Sequence, residues 1–335
     1  MQFKFFVGID VSKSTLDFSL VAEGKVVLDL CVENSLNGVK GAIKELATQN
    51  DFTLENTLFC MEKTGIYNNH VITALHTLKA FIWVEKAIHI KRSSGLQRGK
   101  SDKVDAQRIG LFAYRHQDQA KLWSPTRVII QQLKSLTTVR DRLLLTVSRL
   151  KTPLNESKKF DSKEVYAIIK SSCSKSIKAV KEDLKAVENR IKELIKQDSS
   201  LHHLFTLVTS VAGIGPVIGR EIIITTNEFK DITEAKKYAC YAGVAPFAHS
   251  SGTSIKGKNK VSHFANKNVK KLLHLGAVSL IRHKGEIREY WLRKLDQGKQ
   301  EMVVLNAIRN KLIQRVFAVV ARGTKYEKNY RNNLI

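Results

Sequence analysis

The sequence predicts an α/β domain on a mixed sheet, then a long helical segment, then a mainly helical region. Three patterns say so. Apolar runs of strand length alternate with amphipathic stretches over the first 116 residues, apolar side chains recur at steps of 3 and 4 from 127 to 196, and helical periodicity resumes after 201. A chain of 335 residues with 43% hydrophobic content has room for about two domains with buried cores. The expected division is 1–122, 123–200 and 201–335.

Phe3 to Val21 and Val26 to Val32 read as two strands of a hairpin joined by a tight Glu23-Gly24-Lys25 turn. Ser35 to Gln49 is a helix with Leu36, Val39, Ile43 and Leu46 on one face. Leu58 to Met61 is a short buried strand, Tyr67 to Leu78 a helix, Phe81 to Val84 a strand and Val104 to His116 a helix. The order β-β-α-β-α-β-α gives a mixed sheet. One long helix spans Arg127 to Leu154 and a second Lys163 to Lys196, where Val180, Leu184, Val187, Ile191 and Leu194 form a coiled-coil seam. Pro153 is expected near the break between them, and an antiparallel hairpin and a dimerisation arm are both open. Leu207 to Ile223 reads as two helices around Gly213-Ile214-Gly215-Pro216. That turn suits a phosphate-facing helix-hairpin-helix element and equally an ordinary helix corner. His249 to Lys260 reads as a flexible basic loop, and helices follow near Val269–Ile281 and Val303–Arg322.

The formal net charge is +25, unevenly spread. Residues 1–100 carry 12 Lys+Arg against 10 Asp+Glu, residues 101–200 carry 21 against 12, and residues 201–335 carry 23 against 9. Such a surplus points to a polyanionic partner, nucleic acid above all. Four scattered cysteines without a CxxC pair argue against a disulfide framework, and three lie in apolar runs and read as small core residues. The histidines show no zinc-ligand spacing. A signal-peptide pattern is not evident, a membrane helix is not expected, and a cytoplasmic protein is.

Four acids are placed for chemistry. Asp10 and Glu62 end the apolar runs Phe5-Phe6-Val7-Gly8-Ile9 and Leu58-Phe59-Cys60-Met61, and Asp102 and Asp105 open a helix at i and i+3. A carboxylate at the end of a buried strand is costly alone, and several converging make sense around a divalent cation. Oxygen donors of this kind suit Mg²⁺ or Mn²⁺. The helical pair also fits a plain helix start, with Ser101 as N-cap and two acids favoured by the helix dipole. Asp10 on its own also fits a cap for the Val11-Ser12-Lys13 turn.

Phe6-Val7-Gly8-Ile9-Asp10-Val11-Ser12-Lys13, Glu62-Lys63-Thr64-Gly65-Ile66-Tyr67 and Lys100-Ser101-Asp102-Lys103-Val104-Asp105-Ala106, in this order, resemble the DEDD transposases of the insertion sequence 110 family, which includes Piv-type DNA invertases. Val211 through Ala277 resembles that family's second conserved domain. The resemblance implies a RuvC-like, RNase H-type first domain in which Asp10, Glu62, Asp102 and Asp105 bind Mg²⁺ or Mn²⁺. It also implies a serine nucleophile before a glycine in the second domain, here Ser251, with Ser250 and Ser254 as neighbours to which the assignment can slip. Read without the resemblance, Ser251 is an exposed loop serine, with His249 near it in sequence. The family further implies action as a homo-oligomer, a dimer or tetramer, on DNA, guided by a structured non-coding RNA. Lys13, Arg98, Lys100, Lys103, Lys256, Lys258 and Lys260 are the expected nucleic-acid contacts, and the protein is expected at the bacterial nucleoid. Lys63 replaces a small residue usual in the family, and Ala265-Asn266 stands where Gly-Asn is usual.

Other readings remain. One is a structure-selective RuvC-like nuclease with water as nucleophile, and another a non-enzymatic nucleic-acid-binding protein. An ATPase of the sugar-kinase/actin type also opens with Gly-Ile-Asp, but Val11-Ser12-Lys13 lacks the glycines of its first phosphate loop, and a second such loop is not found.

Overall fold

The structure, a computed structural model, describes residues 3–93, 95, 101–251, 255–262 and 264–327, with backbone alone for 248–251 and 255–260. The chain divides into two compact units, Met1–Pro125 and Thr126–Ile335.

The first unit holds a five-stranded sheet. Its first three strands are β1 (Phe5–Val11), β2 (Thr15–Ala22) and β3 (Lys25–Glu33). The expected two-stranded hairpin is thus corrected to a three-stranded meander. The reason is local: the Ser12 hydroxyl donates to the Thr15 carbonyl (2.9 Å) and accepts from the Thr15 amide (3.0 Å), closing a turn inside the apolar run. Glu23 and Gly24 both have positive φ (51° and 75°), as a two-residue hairpin turn with right-handed strand twist demands. Helix α1 (Leu36–Leu46) follows, capped by the Ser35 side chain, which accepts from the Gly38 amide at 3.1 Å. Then come β4 (Thr57–Glu62), a 3₁₀ turn (Gly65–Asn68), α2 (Asn69–Thr77), β5 (Phe81–Glu85), α3 (Ala87–Ser93) and α4 (Asp102–Arg115).

The strand order is β3-β2-β1-β4-β5, antiparallel through β1 and parallel from β1 to β5. This is the RNase H-like, RuvC-like arrangement the sequence predicts. Alternation along β1 sorts its two faces. Phe5, Val7, Ile9 and Val11 pack with Val39, Ala42 and Leu46 of α1 and Val71 and Leu75 of α2. Phe6 packs with Leu58 and Cys60 of β4 and Ile109 and Phe112 of α4. Gly8 lies on the α4 side, where the helix backbone presses on the strand: a Cβ there would stand 2.1 Å from the Ala106 carbonyl oxygen and 2.2 Å from the Gly110 nitrogen. Of the cysteines, Cys60 is buried as expected, but Cys31 and Cys240 are exposed and Cys173 is half-buried. An apolar neighbourhood in sequence does not decide which face of an element a residue takes.

The second unit opens with α5 (Val128–Phe160) and α6 (Lys163–Gln197). Pro153 does not mark the break: α5 runs through it, and the break falls at Asp161–Ser162, where the Ser162 hydroxyl accepts from the Val165 amide. Arg140 donates to Glu188 (2.9 Å), and Lys181 holds Lys151 below the usual lysine range. The pairing 140 with 188 and 151 with 181 makes the helices an antiparallel hairpin. Next come α7 (Ser199–Thr209), α8 (Pro216–Thr226), α9 (Ala235–Tyr241), β6 (Pro246–Ser251), β7 (Ile255–Val261), α10 (Lys267–Arg282), α11 (Glu286–Asp296) and α12 (Glu301–Arg322). Their core centres on Val304, Leu305, Ile308, Leu312, Ile313 and Val316 of α12, and takes in Ile130, Leu133, Ile191 and Leu194 from the base of the helical hairpin. The α7–α8 turn packs inward: a Cβ on Gly276 of α10 would meet the Gly213 carbonyl oxygen at 2.4 Å. The expected flexible loop is corrected to the antiparallel hairpin β6–β7, with a register shift between Phe247 and His249. Small, hydroxyl and basic residues hid it because they lack an apolar alternation.

Because backbone rather than a flexible side chain meets the added atom, Gly8→Ala is expected to lower folding stability by about 1–3 kcal/mol. Urea denaturation followed by Trp fluorescence, with Trp83 and Trp123 in this unit, reads it as a lower midpoint; an unshifted midpoint would contradict the contact.

Candidate active site

Asp10 follows Gly8 at the next outward step of β1 and so shares the α4 side of the sheet. Glu62 follows Cys60 on β4 in the same way. The parallel pairing of β1 with β4 ends at Ile9 and Met61, so Asp10 and Glu62 sit one residue past matched positions on adjacent strands. Asp102 and Asp105 occupy the first turn of α4. Ser101 caps it, its hydroxyl accepting from the Val104 amide at 3.3 Å. The close approach of α4 at Gly8 brings that first turn toward the strand ends.

The charges feel one another. Asp10 is half-buried, and its carboxyl is pushed up to about 6, by burial first and then by Asp102, Asp105, Glu62 and Asp17. Burial and the charge of Asp105 raise Glu62. Asp10 thus lies within electrostatic range of the other three expected acids. Asp105 also accepts from Arg108 at 2.7 Å. Among the described residues, no group of three His, Cys, Asp or Glu side chains is arranged to hold a metal ion. Yet the donors fit a hard divalent cation chemically: they are all carboxylate oxygens, and the Asp10 carboxylate is disfavoured by burial and by the neighbouring acids.

Sequence reasoning missed Asp17. It pairs directly with Asp10 across β1–β2, and burial raises it, with Asp102 and Asp29 adding to the effect. The signal was present: Leu16, Phe18 and Leu20 face the α1–α2 core, which leaves Asp17 on the opposite face with Asp10. Reading Phe3 to Val21 as one strand concealed the pairing. Asn68 was also missed. Buried just after the Glu62-to-Tyr67 motif, it donates to the Glu62 carbonyl (2.9 Å) and accepts from the Thr64 amide (2.7 Å). It thereby fixes the path of the chain leaving the acidic strand end. Glu85, opposite Glu62 on β5, is engaged instead by Trp83, the Lys86 amide and His89.

Of the expected nucleic-acid contacts, Lys13 is exposed in the β1–β2 turn, while Lys103 pairs with Asp29 at 3.3 Å. Arg98 and Lys100 lie outside the described residues, as does Ser254. Lys256, Lys258 and Lys260 take alternate positions of β7. Ser251 ends β6 with its backbone opposite Ile255, and Ser250 is opposite Lys256. Asn266 caps α10, accepting from the Asn268 and Val269 amides, so the Ala265-Asn266 departure keeps its capping role.

Residues 7–157 match the DEDD transposase family of IS110, described as a transposase, and residues 205–292 match the transposase IS116/IS110/IS902 family. The chain belongs to the insertion sequence 110 family of transposases. Along nearly its whole length it is similar to the pilin gene-inverting protein of Moraxella bovis, 23% identical over 97% of this chain and 98% of that protein. It is 30% identical to an insertion element IS110 protein of 43.6 kDa from Streptomyces coelicolor, over 48% of this chain and 38% of that one. Among solved structures it aligns with Thermus thermophilus RuvC in complex with a Holliday junction substrate, at 14% identity and a TM-score of 0.28, covering 35% of this chain and 98% of that one. Among the described residues, no helix is long and apolar enough to cross a membrane.

The raised Asp10 carboxyl makes a signed prediction. Its folded form holds the proton more tightly than the unfolded chain, so its contribution favours folding below about pH 3.8 and is lost as pH rises through about 6. Above that, the metal-free fold carries a repelled charge. Asp10→Asn is therefore expected to raise stability at pH 8 by about 1–2 kcal/mol after allowance for its partial exposure, and to change little at pH 3.5. Thermal denaturation of the chelator-treated protein at both pH values measures this; a loss of stability at pH 8 would contradict it.

Proposed function

We propose that this transposase cuts and rejoins DNA through two sets of groups: the acids Asp10, Glu62, Asp102 and Asp105, and the Ser251 hydroxyl. The observation that carries the reading is the placement of Asp10 and Glu62 at adjacent strand ends and of Asp102 and Asp105 in the first turn of α4, which packs on β1 at Gly8; the raised Asp10 carboxyl agrees with it. A half-buried carboxylate among like charges is unfavourable to the fold, and cations held there against a phosphate ester would relieve it. Mg²⁺ or Mn²⁺ bound there would neutralise the acids and polarise the scissile phosphodiester. Asp17 adds negative charge beside Asp10, and Asn68 steadies the Glu62 strand end.

In the strand-cleaving step, the Ser251 oxygen forms a bond to phosphorus while the bond to one deoxyribose oxygen breaks. The serine proton ends on the displaced deoxyribose hydroxyl, and the DNA is left joined as a phosphoserine diester. Attack by a deoxyribose hydroxyl from another end reverses the balance and frees the serine. The name of the full-length relative, a pilin gene-inverting protein, supports conservative strand exchange of this kind. We extend the proposal to a homo-oligomer in which acids and serine come from different subunits, and to target choice by a structured RNA. The charge of +25 and the exposed helical hairpin are compatible with both.

Recombination between element ends on a supercoiled plasmid tests the reading. Asp10→Ala and Ser251→Ala are each expected to reduce product by more than about a hundredfold, and the wild type to yield a protein–DNA adduct that survives denaturant. Mixing the two variants is expected to restore part of the activity. Cleavage by Ser251→Ala at the wild-type rate, without adduct, would replace the serine by water. Metal dependence has its own readout: the rise in melting temperature on adding Mg²⁺ is expected to grow between pH 5 and pH 7 as Asp10 loses its proton, and to vanish in Asp10→Asn. A pH-independent rise would remove Asp10 from the metal site.

A further inference from the structure

The second unit contains a cationic cluster that the acids and the serine do not use. Arg309 on α12 is buried, 4% exposed. Its Nη2 donates to Nδ1 of His274 on α10 at 2.8 Å, its Nη1 makes a long contact of 3.4 Å with Asn306, and its Nε has no partner. Lys270 lies one turn before His274 on the same helix, and both are half-buried. Burial lowers the proton affinity of Lys270 and of His274, and the charge of Arg309 lowers each further. Among the described residues, which include every Asp and Glu of the chain, no ion pair involves Lys270, His274 or Arg309. From Ala235 to Gly285 the sequence carries ten Lys and Arg and no acid.

A guanidinium in the interior without a carboxylate is expensive, and an apolar side chain of similar volume would cost less. Its field is weakly screened from within, so it makes the surface above it attractive to an anion. Because Arg309 donates to Nδ1, His274 is in the tautomer whose Nε2 carries the hydrogen, which leaves a donor for a ligand. The cluster also has a defined place. Asn306 donates to the Val244 carbonyl at 2.8 Å, two residues before β6 begins, and the Lys270 side chain passes Gly243. It therefore stands at the base of the β6–β7 hairpin whose far end is Ser251.

We propose that Lys270 and His274, backed by the buried charge of Arg309, form a docking point for one phosphodiester of a nucleic-acid backbone, which registers the strand relative to the β6–β7 hairpin. Lys270 and His274 touch the phosphate, and Arg309 is a positioning residue acting through His274 and through its field. The proposal rests on the reading of this chain as a protein that acts on nucleic acid. The contact is to backbone, so it sets register and affinity and not sequence preference.

The test uses the full-length protein with two labelled probes, a 40-base-pair DNA duplex and an RNA stem-loop, each titrated from 0.05 to 0.3 M KCl. Lys270→Gln is expected to weaken binding of at least one probe about tenfold at 0.1 M KCl and to reduce its salt slope by about one. Arg309→Met is expected to weaken the same probe while leaving the melting temperature unchanged or higher, since it removes an unpaired buried charge, and to raise the His274 pKa seen by NMR. A purely structural arginine predicts the opposite, a lowered melting temperature with unchanged affinity of the folded protein. An effect on the duplex alone assigns the phosphate to DNA, and on the stem-loop alone to RNA. On the wild type, the bound probe is expected to slow acetylation of Lys270 relative to Lys178 on the helical hairpin, a readout that needs no variant to fold. Unchanged slopes and affinities for both probes in Lys270→Gln, or acetylation of Lys270 at the unbound rate, overturn this site and leave the transposase reading intact. Absence of salt-dependent binding of either probe by the wild type overturns both.

Discussion

The first unit depends on the approach of α4 to β1 where Gly8 meets Ala106 and Gly110. Side chains at either glycine would hold the helix away, and the first turn of the helix would leave the strand ends with it. The contact is backbone on backbone, so it tolerates little slippage. It explains why a Gly stands in the middle of an otherwise bulky strand, where it weakens the strand intrinsically. Local strand stability is given up so that Asp102 and Asp105 stand where Asp10 can feel them.

The electrostatics of the two units are mirror images in kind. In the first, acids are concentrated and partly desolvated, with Asp10 the most affected. In the second, Lys270, His274 and Arg309 are concentrated and desolvated without a compensating acid. By contrast, Arg127 pairs with Asp198 and Arg315 with Glu286.

Much of the fold was legible from residue patterns. The helices α1, α5 and α6 follow from apolar periodicity, and the strands β4 and β5 from short apolar runs, β4 being buried on both faces. Errors arose where a polar side chain acts on the backbone. The Ser12 hydroxyl turns the chain inside an apolar run, and Pro153 is absorbed within α5 while Asp161–Ser162 makes the break. The β6–β7 hairpin escaped because backbone pairing, not an apolar stripe, defines it. Helices α9 and α11 were too short or too polar to stand out.

The sequence alone identified Asp10, Glu62, Asp102 and Asp105 as a set, since carboxylates ending buried runs are rare and physically costly. It also carried the charge asymmetry and the family's motifs in order. Tertiary structure decided which neighbours each group has. Asp17 comes beside Asp10 through the cross-strand register and Asn68 holds the Glu62 backbone carbonyl six residues away; in the second unit, separately, packing of α12 on α10 brings Arg309 to His274, 35 residues away in the chain. Electrostatic and hydrogen-bonded neighbours of this kind are set by distance in space, and residue order along the chain does not encode that distance until the strands have paired and the helices have docked.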